Sequence, residues 1–226
     1  LYFDNSVFDL YNSMLHGNTL VLIPSLDINN PIKLLNKIQK HNCTVWFSTP
    51  SLLIYFVNFN LLDKKKFKSI KKIIFGGEGF PKAKLEILFK ELKHKLFYNV
   101  YGPTECTCIC SRYLINKKDF KNNYNLSKSI YMPIGSIADN FDYKIVDKNY
   151  REVKKGNVGE LILYGPNIAY GYVGDKLNTD KNFIINIDVL NNKRGYKTGD
   201  LVKENEFNNQ LFFIGTNDTQ IKHMGY

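Results

Sequence analysis

Short apolar runs alternate with segments of helical spacing over the first 130 or so residues, and this alternation constrains the fold more than any other feature of the sequence. The apolar runs cover residues 19–23, 44–48 and 72–75. The helical segments cover residues 32–38, 52–59 and 81–92. Pro81 stands where prolines open a helix, and Ser51 is a candidate helix cap. Alternation of this kind predicts a parallel sheet covered by helices.

The pattern changes after about residue 130. Residues 143–147, 159–164 and 210–214 have the pattern of short strands, separated by turn residues such as Lys148-Asn149. This half predicts a small β-barrel or a twisted sheet. The pattern alone therefore predicts an α/β fold, with a parallel sheet and helices in residues 1–130 and a small β-barrel or twisted sheet in residues 131–226.

Composition and charge exclude several functions. A hydrophobic fraction of 44% in 226 residues is enough for a sizeable core. The net charge is +10, from 31 basic and 21 acidic residues, but the lysines are scattered and no aromatic platform interleaves with them. We therefore expect a solvated basic surface and no nucleic-acid partner. The sequence shows neither an apolar run of about 18 residues nor a charged leader, so we expect a cytoplasmic protein without a membrane partner.

The four cysteines, Cys43, Cys106, Cys108 and Cys110, do not form the pattern of a disulfide framework at this length. The last three alternate with single intervening residues, as small core residues on a strand do. A zinc site is the alternative, although Cys-x-Cys-x-Cys lacks the usual pairs of cysteines separated by two residues.

A polar and acidic cluster, residues 99–105 with the sequence Asn-Val-Tyr-Gly-Pro-Thr-Glu, follows the apolar run 96–98. In an open α/β sheet, ligands bind beyond the carboxyl ends of strands, which is where this cluster stands. Tyr101 has a ring to stack on a base, Thr104 a hydroxyl for a phosphate oxygen and Glu105 a carboxylate for Mg²⁺. The alternative is a strand-to-helix turn in which the Gly-Pro pair only sets backbone angles.

Residues 99–105 resemble the nucleotide loop of the adenylate-forming superfamily, which holds acyl-CoA synthetases, luciferases and the amino-acid adenylation domains of nonribosomal peptide synthetases. Other blocks match in the family's order: Phe3-Asp4-Asn5-Ser6, Thr49-Pro50-Ser51, Gly159-Glu160-Leu161 with Gly171-Tyr172, Tyr196-Lys197-Thr198-Gly199-Asp200-Leu201, and Asp218 with Gln220, Ile221 and Lys222. The match spans essentially the whole chain, and it implies layered parallel sheets with helices, followed by a small β-barrel lobe. Within the superfamily, the blocks resemble most the D-alanine–D-alanyl carrier protein ligases and related amino-acid adenylation enzymes.

The resemblance implies an ATP-dependent ligase that activates an amino acid as aminoacyl-AMP and transfers it to the phosphopantetheine thiol of an acyl or peptidyl carrier protein. It implies ATP and Mg²⁺ as cofactors, Thr104 and Glu105 as catalytic residues, and Glu105 as the metal ligand. By the same match, Tyr101 stacks on adenine, Asn99 contacts its edge, and Asp200 accepts hydrogen bonds from the ribose hydroxyls. The implied nucleotide-binding residues are Gly77, Glu78, Asn99, Tyr101, Gly102, Thr104, Asp200 and Phe213.

The resemblance also implies an amino-acid substrate. Two phenylalanines at the matched pocket positions favour a small side chain such as that of alanine or serine, whereas Gly76 opens room for a larger one. The Asp4 carboxylate is expected to pair with the substrate's α-ammonium, a contact that favours an amino acid over a fatty acid. The implied side-chain pocket is apolar, and its lining residues are Phe8, Phe47, Ile74, Gly76, Val100, Cys108 and Ile109. Asp4 as a strand-end or cap aspartate and Asp200 as a turn cap in Thr-Gly-Asp are the alternatives. Asp218 and Lys222 match the hinge before the family's mobile C-terminal domain.

The sequence departs from the family's pattern at several points. Gly76 stands where D-alanine ligases usually have a cysteine that helps to choose D over L, which puts D-alanine in doubt. Thr216 replaces an arginine that would reach the nucleotide. The family's phosphate loop is expected before Phe3 and its mobile C-terminal domain after Tyr226, so we expect the N-terminal core of such an enzyme, truncated at both ends.

Two other functions stay open from the sequence. An acyl- or aryl-CoA ligase is the alternative among enzymes, and Asp4 argues against it. A non-catalytic AMP-binding module is suggested by Thr216 and the truncated ends. The basic surface suits the carrier-protein hypothesis, because a basic face speeds the encounter with an acidic partner.

Overall fold

The computed structural model describes residues 3–121, 130–185 and 193–217. These residues form two compact units. The first contains residues 3–99, 114–121 and 130–132, and the second contains residues 100–113, 133–185 and 193–217. None of the helices in these ranges is long and apolar enough to cross a membrane.

The first unit consists of helices and short strands. Its helices are α1 (Asn5–Leu15), α2 (Ser25–Ile28), α3 (Pro31–Lys40), α4 (Pro50–Asn58) and α5 (Lys82–Glu91), with a short 3-10 helix at Lys117–Phe120. Its strands are β1 (Val45–Ser48), β2 (Lys72–Gly76) and the first four residues of β3 (Leu96–Tyr101). In the sheet, β2 lies between β1 and β3. Because β1 and β2 run parallel, with Trp46 opposite Ile73, the prediction of a parallel sheet with helices is confirmed.

Local sequence signals explain the start and the buried face of α3. The Asn30 side chain accepts a hydrogen bond from a backbone N–H of the first turn at 3.1 Å, and Pro31 occupies a position where no N–H is needed. Leu34, Leu35 and Ile38 are spaced to share one face, and all three are buried.

Aromatic rings fill the core of the first unit. Trp46 on β1 stacks on Phe67 with the ring centroids 5.6 Å apart, and it meets the edge of Phe56 from α4 at 5.7 Å. Phe56 and Phe67 are fully buried. Stacked and edge-to-face pairs add a specific attraction to the burial of the rings, so this cluster fixes α4 against β1.

Two local expectations in this unit are wrong. The apolar run 19–23 forms no strand, because no neighbouring strand pairs with it and none of its residues is fully buried. Ser51 does not cap α4: the helix begins at Pro50, and the Ser51 hydroxyl donates to the carboxylate of Glu78 instead.

Antiparallel strands dominate the second unit. Strand β4 (Ser111–Leu114) pairs with β5 (Ser136–Ile137) through Ser111 and Arg112. The larger sheet contains β6 (Asp142–Val146), β7 (Val158–Tyr164), β8 (Phe183–Ile185), β9 (Arg194–Glu204) and β10 (Leu211–Thr216). Helix α6 (Lys176–Asn182) precedes β8.

The prediction of a β-barrel in this half is wrong, because the larger sheet is open. Its order is β10-β9-β7-β6, and β8 pairs with β9 beside this path. Closing a barrel needs a pairing between the two end strands. Within the described residues β6 and β10 do not pair, so the twisted-sheet alternative is the one that holds.

The two faces of β7 lie in different clusters. Leu161 and Leu163 are two residues apart, point to the same side and pack with Val202 and Leu211 in the main core of the unit. Ile162 points to the other side, where it packs in a smaller cluster with Val146 and Tyr164. Both faces of this central strand are therefore covered, as its run of apolar residues requires.

The subdomain boundary expected between residues 130 and 131 stays a prediction. The compact units change between Met132 and Pro133, and they also place residues 100–113 in the second unit. Asn99 therefore belongs to the first unit, and the rest of the heptad 99–105 belongs to the second.

We expect Phe56→Ala to lower the free energy of unfolding of the first unit by about 3–5 kcal/mol, because it removes a fully buried ring beside Trp46 and Phe67. Urea denaturation followed by fluorescence of Trp46, the chain's single tryptophan, measures the loss. Phe207→Ala is the control, because that ring is 86% exposed. Equal losses in the two variants would contradict the assignment of this core.

Candidate functional site

The loop between β3 and β4, residues 102–110, is closed by contacts within the second unit. The backbone N–H of Cys110 donates to the carbonyl of Tyr101 at 2.7 Å, which joins the two ends of the loop. Gly102 packs against the far side of the loop, where an added Cβ would lie 2.3 Å from the carbonyl oxygen of Cys108. Only glycine fits at this approach, so the Gly-Pro pair of the heptad also sets the packing of the loop.

Two consecutive residues of this loop have a left-handed backbone conformation. Thr107 and Cys108 have φ values of 62° and 74°. The strand expected from the alternating cysteines is therefore wrong: Cys106 lies in a 3-10 helix, Thr104–Cys106, and β4 begins after Cys110. The burial of the three cysteines is confirmed. In the described ranges, no group of three or more His, Cys, Asp or Glu side chains is placed to hold a metal ion, zinc included.

A hydrogen bond joins this loop to strand β9. Tyr101 donates its hydroxyl proton to Asp200 Oδ2 at 2.5 Å. Asp200 lies inside β9 and is 5% exposed, so it is not the turn cap that its Thr-Gly-Asp sequence permits. Burial, and then the charge of Asp200, raise the pKa of Tyr101 well above its usual range, so the hydroxyl remains a donor at neutral pH. Two of the predicted nucleotide-binding residues are therefore in direct contact.

Glu105 is held by the segment of residues 169–172. Tyr172 donates its hydroxyl proton to Glu105 Oε1 at 2.6 Å, and the backbone N–H of Ala169 donates to the Glu105 carbonyl at 2.8 Å. The hydroxyl of Tyr196, on β9, lies 3.3 Å from that of Tyr172. Burial, and then the hydrogen bond to Glu105, raise the pKa of Tyr172. The predicted metal ligand is thus fixed through both its side chain and its backbone.

The donor set around Glu105 suits Mg²⁺. This ion usually takes one or two carboxylates from a protein and completes its shell with substrate phosphates and water. Glu105 supplies one fixed carboxylate, and Thr104, the preceding residue of the 3-10 helix, is exposed. Glu105 is therefore the residue that would hold the ion, and Thr104 is free to face a phosphate oxygen.

Strand β10 brings two further predicted positions beside β9. Phe213 pairs with Val202 and packs against the core of the second unit. Thr216 lies directly opposite Asp200 in the antiparallel register. The residue that replaces the family's arginine is therefore next to the carboxylate expected to bind the ribose.

Four of the predicted pocket residues come together in the first unit. Phe47 on β1 pairs with Ile74 on β2, and Gly76 follows two residues later, so the three positions share one face of the sheet. The ring of Phe8, from α1, packs on that of Phe47 with centroids 4.7 Å apart. Asp4 lies immediately before α1, and its side chain makes no capping hydrogen bond. Asp4 therefore occupies the N-cap position that this alternative expects, but without the capping hydrogen bond.

Gly77 and Glu78 follow β2 directly. The Ser51 hydroxyl donates to Glu78 Oε2, whereas Glu78 Oε1 is buried and has no hydrogen-bond partner among the described residues. Buried acceptors without a partner are rare, so this oxygen is suited to a donor on a ligand. Nothing in the sequence pairs Ser51 with Glu78, because the two residues are 27 positions apart.

The remaining predicted residues are divided between the units. Asn99 and Val100, near the end of β3, are 9% and 7% exposed, and they belong to the first and second unit respectively. Cys108 lies in the closed loop. The expected hinge residues Asp218 and Lys222 lie outside the described residues.

Tyr172 and Tyr196 are functional candidates that sequence reasoning missed. Both stand in blocks that match the family, so the blocks point to the region. The pattern carries no signal that their hydroxyls converge on Glu105, because Tyr172 is 67 positions away from it.

A sequence profile of the AMP-binding enzyme family matches residues 1–173 of the chain. The chain belongs to this family. The D-alanine--D-alanyl carrier protein ligase of Bacillus licheniformis is 33% identical over 229 residues, which cover 99% of this chain and 42% of the ligase. Bacitracin synthase 1 of the same species is 34% identical over 228 residues, which cover 99% of this chain and 4% of the synthase. The resemblance to adenylate-forming enzymes is confirmed.

A solved structure shows the same fold. The Vibrio cholerae adenylation domain AlmE, in complex with glycyl-adenosine-5'-phosphate, has a TM-score of 0.81 and 27% identity to this chain. The superposition covers 100% of this chain and 40% of AlmE. The chain thus spans about two fifths of the length of AlmE and of the curated ligase.

Helix α1 also carries an acid outside the matched positions. Asp9 follows Phe8, and burial raises its pKa from 3.8 to about 6. The carboxyl therefore ionises at higher pH in the folded chain than in the unfolded chain. The folded chain favours the neutral carboxyl. The stability that goes with this form is therefore fully present below pH 3.8 and is lost as the pH rises through about 6.

We expect Asp9→Asn to be more stable than the wild type at neutral pH, with the difference shrinking as the pH falls towards 3.8. The asparagine cannot ionise, so the variant escapes the cost of charging a buried group. Urea midpoints of both proteins across this pH range measure the effect. Parallel pH profiles for the two proteins would rule out a raised pKa at Asp9.

Proposed function

We propose that the polypeptide to which this chain belongs is an ATP-dependent ligase that forms an aminoacyl-AMP and then charges a carrier-protein phosphopantetheine thiol. Family membership and the ligase name of its relative support this proposal. In the first step, a carboxylate oxygen of the amino acid bonds to the α-phosphorus of ATP, and the bond to pyrophosphate breaks. In the second, the thiol loses its proton, its sulfur bonds to the acyl carbon, and the bond from that carbon to the phosphate oxygen of AMP breaks.

The Asp4 carboxylate, which makes no capping hydrogen bond, is the observation that carries the choice of an amino acid. It stands before α1 without a capping hydrogen bond, so its charge is available to a substrate. An α-ammonium group forms a charge-assisted hydrogen bond with such a carboxylate. A fatty acid offers no donor there, and for this reason we place an acyl- or aryl-CoA ligase second.

The Phe8–Phe47 pair supports a substrate with a small side chain. The two rings pack together at 4.7 Å beside the buried Ile74, which leaves an apolar and largely filled face. AlmE was solved with a glycyl adenylate, the smallest amino-acid product. We therefore propose a substrate side chain no larger than that of alanine or serine. Gly76 stands in place of the cysteine that favours the D-isomer, so the proposal does not include a preference for D-alanine.

Thr104 and Glu105 are the catalytic residues of the proposal. The first step brings two anions together, so negative charge at the phosphates must be compensated. Mg²⁺ supplies this compensation when bound. Glu105, whose carboxylate accepts a hydrogen bond from Tyr172, would hold the ion, and the exposed Thr104 would donate to an oxygen of the α-phosphate. Both residues act by positioning the reactants and stabilising charge.

Tyr101 and Asp200 support the binding of the nucleoside. The Asp200 carboxylate accepts from Tyr101 and has further acceptor capacity for the ribose hydroxyls. In the proposal, the Tyr101 ring stacks on adenine, and the unpartnered Glu78 Oε1 accepts a donor of the nucleotide. The other proposed nucleotide contacts are Gly77, Asn99, Gly102 and Phe213.

An acidic carrier protein is the proposed partner. The net charge of +10 speeds diffusional encounter with a negatively charged protein, and the curated relative is named for a carrier protein. We place the reaction in the cytoplasm, where ATP is available.

A non-catalytic AMP-binding module is the candidate outside the enzymes, and Thr216 favours it. Its position opposite Asp200 would put an arginine beside the nucleotide. Loss of a guanidinium removes roughly 1.5–3 kcal/mol of charge-assisted hydrogen bonding. Such a loss weakens nucleotide binding, but it leaves Thr104, Glu105 and Asp4 in place.

The proposal is tested by measuring the exchange of radiolabelled pyrophosphate into ATP. The assay uses the complete polypeptide with L- and D-amino acids and with short fatty acids. Exchange with one small amino acid is the expected result. Exchange with a fatty acid alone would favour the CoA-ligase alternative. AMP binding without any exchange would favour the non-catalytic module.

We expect Asp4→Asn to reduce amino-acid-dependent exchange at least tenfold while AMP affinity stays within about twofold, because the variant loses only the partner of the α-ammonium. The exchange assay and calorimetric titration with AMP measure the two effects. Asp139→Asn makes the same change at an exposed aspartate and should alter neither. Equal loss of exchange and AMP affinity in Asp4→Asn would exclude the ammonium role.

A further inference from the structure

The segment of residues 167–172 is fastened to the turn that carries Glu105 at three points. The Thr107 hydroxyl donates to the carbonyl of Asn167 at 2.7 Å. The Ala169 N–H donates to the Glu105 carbonyl at 2.8 Å, and Tyr172 donates to the Glu105 side chain at 2.6 Å. Three bonds over six residues hold these two pieces of chain in one register.

The backbone of Tyr172 is itself fixed by a hydrogen bond to α6. Its backbone N–H donates to Thr179 Oγ1 at 2.8 Å, and Thr179 Oγ1 donates to the carbonyl of Asp175 at 2.8 Å. Gly171 has a φ of 143°, and a Cβ there would lie 2.4 Å from Thr179 Cγ2, so the chain passes too close to α6 for any other residue. This explains why a glycine precedes Tyr172.

The hydroxyl of Tyr172 has a defined direction. Its single proton goes to Glu105, so at 3.3 Å the Tyr196 hydroxyl must be the donor to the Tyr172 oxygen. The rings of both tyrosines pack against Phe183, with centroids 5.4 and 5.0 Å away. A chain of two hydroxyls therefore ends on Glu105 Oε1, and bonds in such a chain strengthen one another.

We infer that Tyr172 is a positioning residue for the metal-binding carboxylate: by holding Oε1, it fixes the plane of the Glu105 carboxylate and so the direction in which Oε2 faces Mg²⁺ and the phosphates. The inference rests on the proposed function, because it takes Glu105 as the metal ligand. A tyrosine suits this task, since it satisfies one oxygen without cancelling the negative charge that attracts the ion.

Tyr143 offers a matched control in the same unit. Its hydroxyl donates to Glu204 Oε1 at 3.0 Å, and burial, followed by this carboxylate, raises its pKa to about 12. Glu204 also pairs with Lys155 at 3.0 Å, so its charge is already compensated. Tyr143→Phe removes the same kind of hydrogen bond as Tyr172→Phe without touching Glu105.

The test is calorimetric titration of ATP into the complete polypeptide at a series of MgCl₂ concentrations and in EDTA, without amino acid, so that no turnover occurs. In Tyr172→Phe we expect the half-saturating Mg²⁺ concentration to rise about 10- to 100-fold, while ATP affinity in EDTA stays unchanged. Tyr143→Phe should match the wild type in both measurements. Thermal unfolding of both variants separates a loss of stability from a loss of metal affinity.

Glu105→Gln distinguishes the failure of this inference from that of the proposed function. Loss of the Mg²⁺ effect in Glu105→Gln, with no further change on adding Tyr172→Phe, is the expected result. If Glu105→Gln loses the effect of Mg²⁺ on ATP affinity but Tyr172→Phe responds to Mg²⁺ as the wild type does, the inference alone is overturned. An unchanged response in Glu105→Gln overturns the metal assignment and the inference together. If Tyr172→Phe does not fold, Tyr196→Phe is the second variant, because it removes the donor to the Tyr172 hydroxyl. We expect it to raise the half-saturating Mg²⁺ concentration by less than the 10- to 100-fold expected for Tyr172→Phe. A half-saturating concentration equal to that of the wild type would overturn the inference.

Discussion

The closed loop between β3 and β4 is the constraint on which the candidate site of the second unit depends. The bond from the Cys110 N–H to the Tyr101 carbonyl joins its ends, and the approach of Gly102 to Cys108 leaves no room for a side chain. With the loop closed, Tyr101 is directed to Asp200 on β9 and Glu105 to Tyr172. A looser loop would leave both side chains without the partners that orient them.

Each of the two carboxylates of this candidate site accepts a hydrogen bond from a tyrosine. Tyr101 donates to Asp200 and Tyr172 to Glu105, so one oxygen of each acid is satisfied while its negative charge remains. Under the proposed function, that charge attracts the ribose hydroxyls and Mg²⁺. Glu204 shows the contrast within the same unit, because Lys155 neutralises it and no role in binding is assigned to it. Under the proposed function, the tyrosine partners thus belong to the carboxylates that bind ligands, and the ion pair belongs to a carboxylate that does not.

Periodicity in the sequence predicts the elements whose pairing is local, and it fails where the decisive contact is distant. The runs that became β1, β2 and α5 were recognisable because their spacing reflects one buried face. The open sheet was not, since closure depends on whether β6 meets β10 and no local pattern encodes that pairing. The matched blocks point to Glu105 and Asp200, but the tyrosine partners come from folding, which brings together positions as far apart as Tyr101 and Asp200.

The hydrogen bond between Tyr101 and Asp200 is the most direct point at which to test this account, by a double-mutant cycle on AMP affinity. Calorimetric titration of the complete polypeptide should show about tenfold weaker binding in Tyr101→Phe, because the ring remains and only a charge-assisted bond is lost. Asp200→Asn should bind more weakly still, and the double variant should be no worse than Asp200→Asn alone. AMP affinity at the wild-type level in Tyr101→Phe, or effects that simply add, would contradict the claim that this bond organises the nucleotide site.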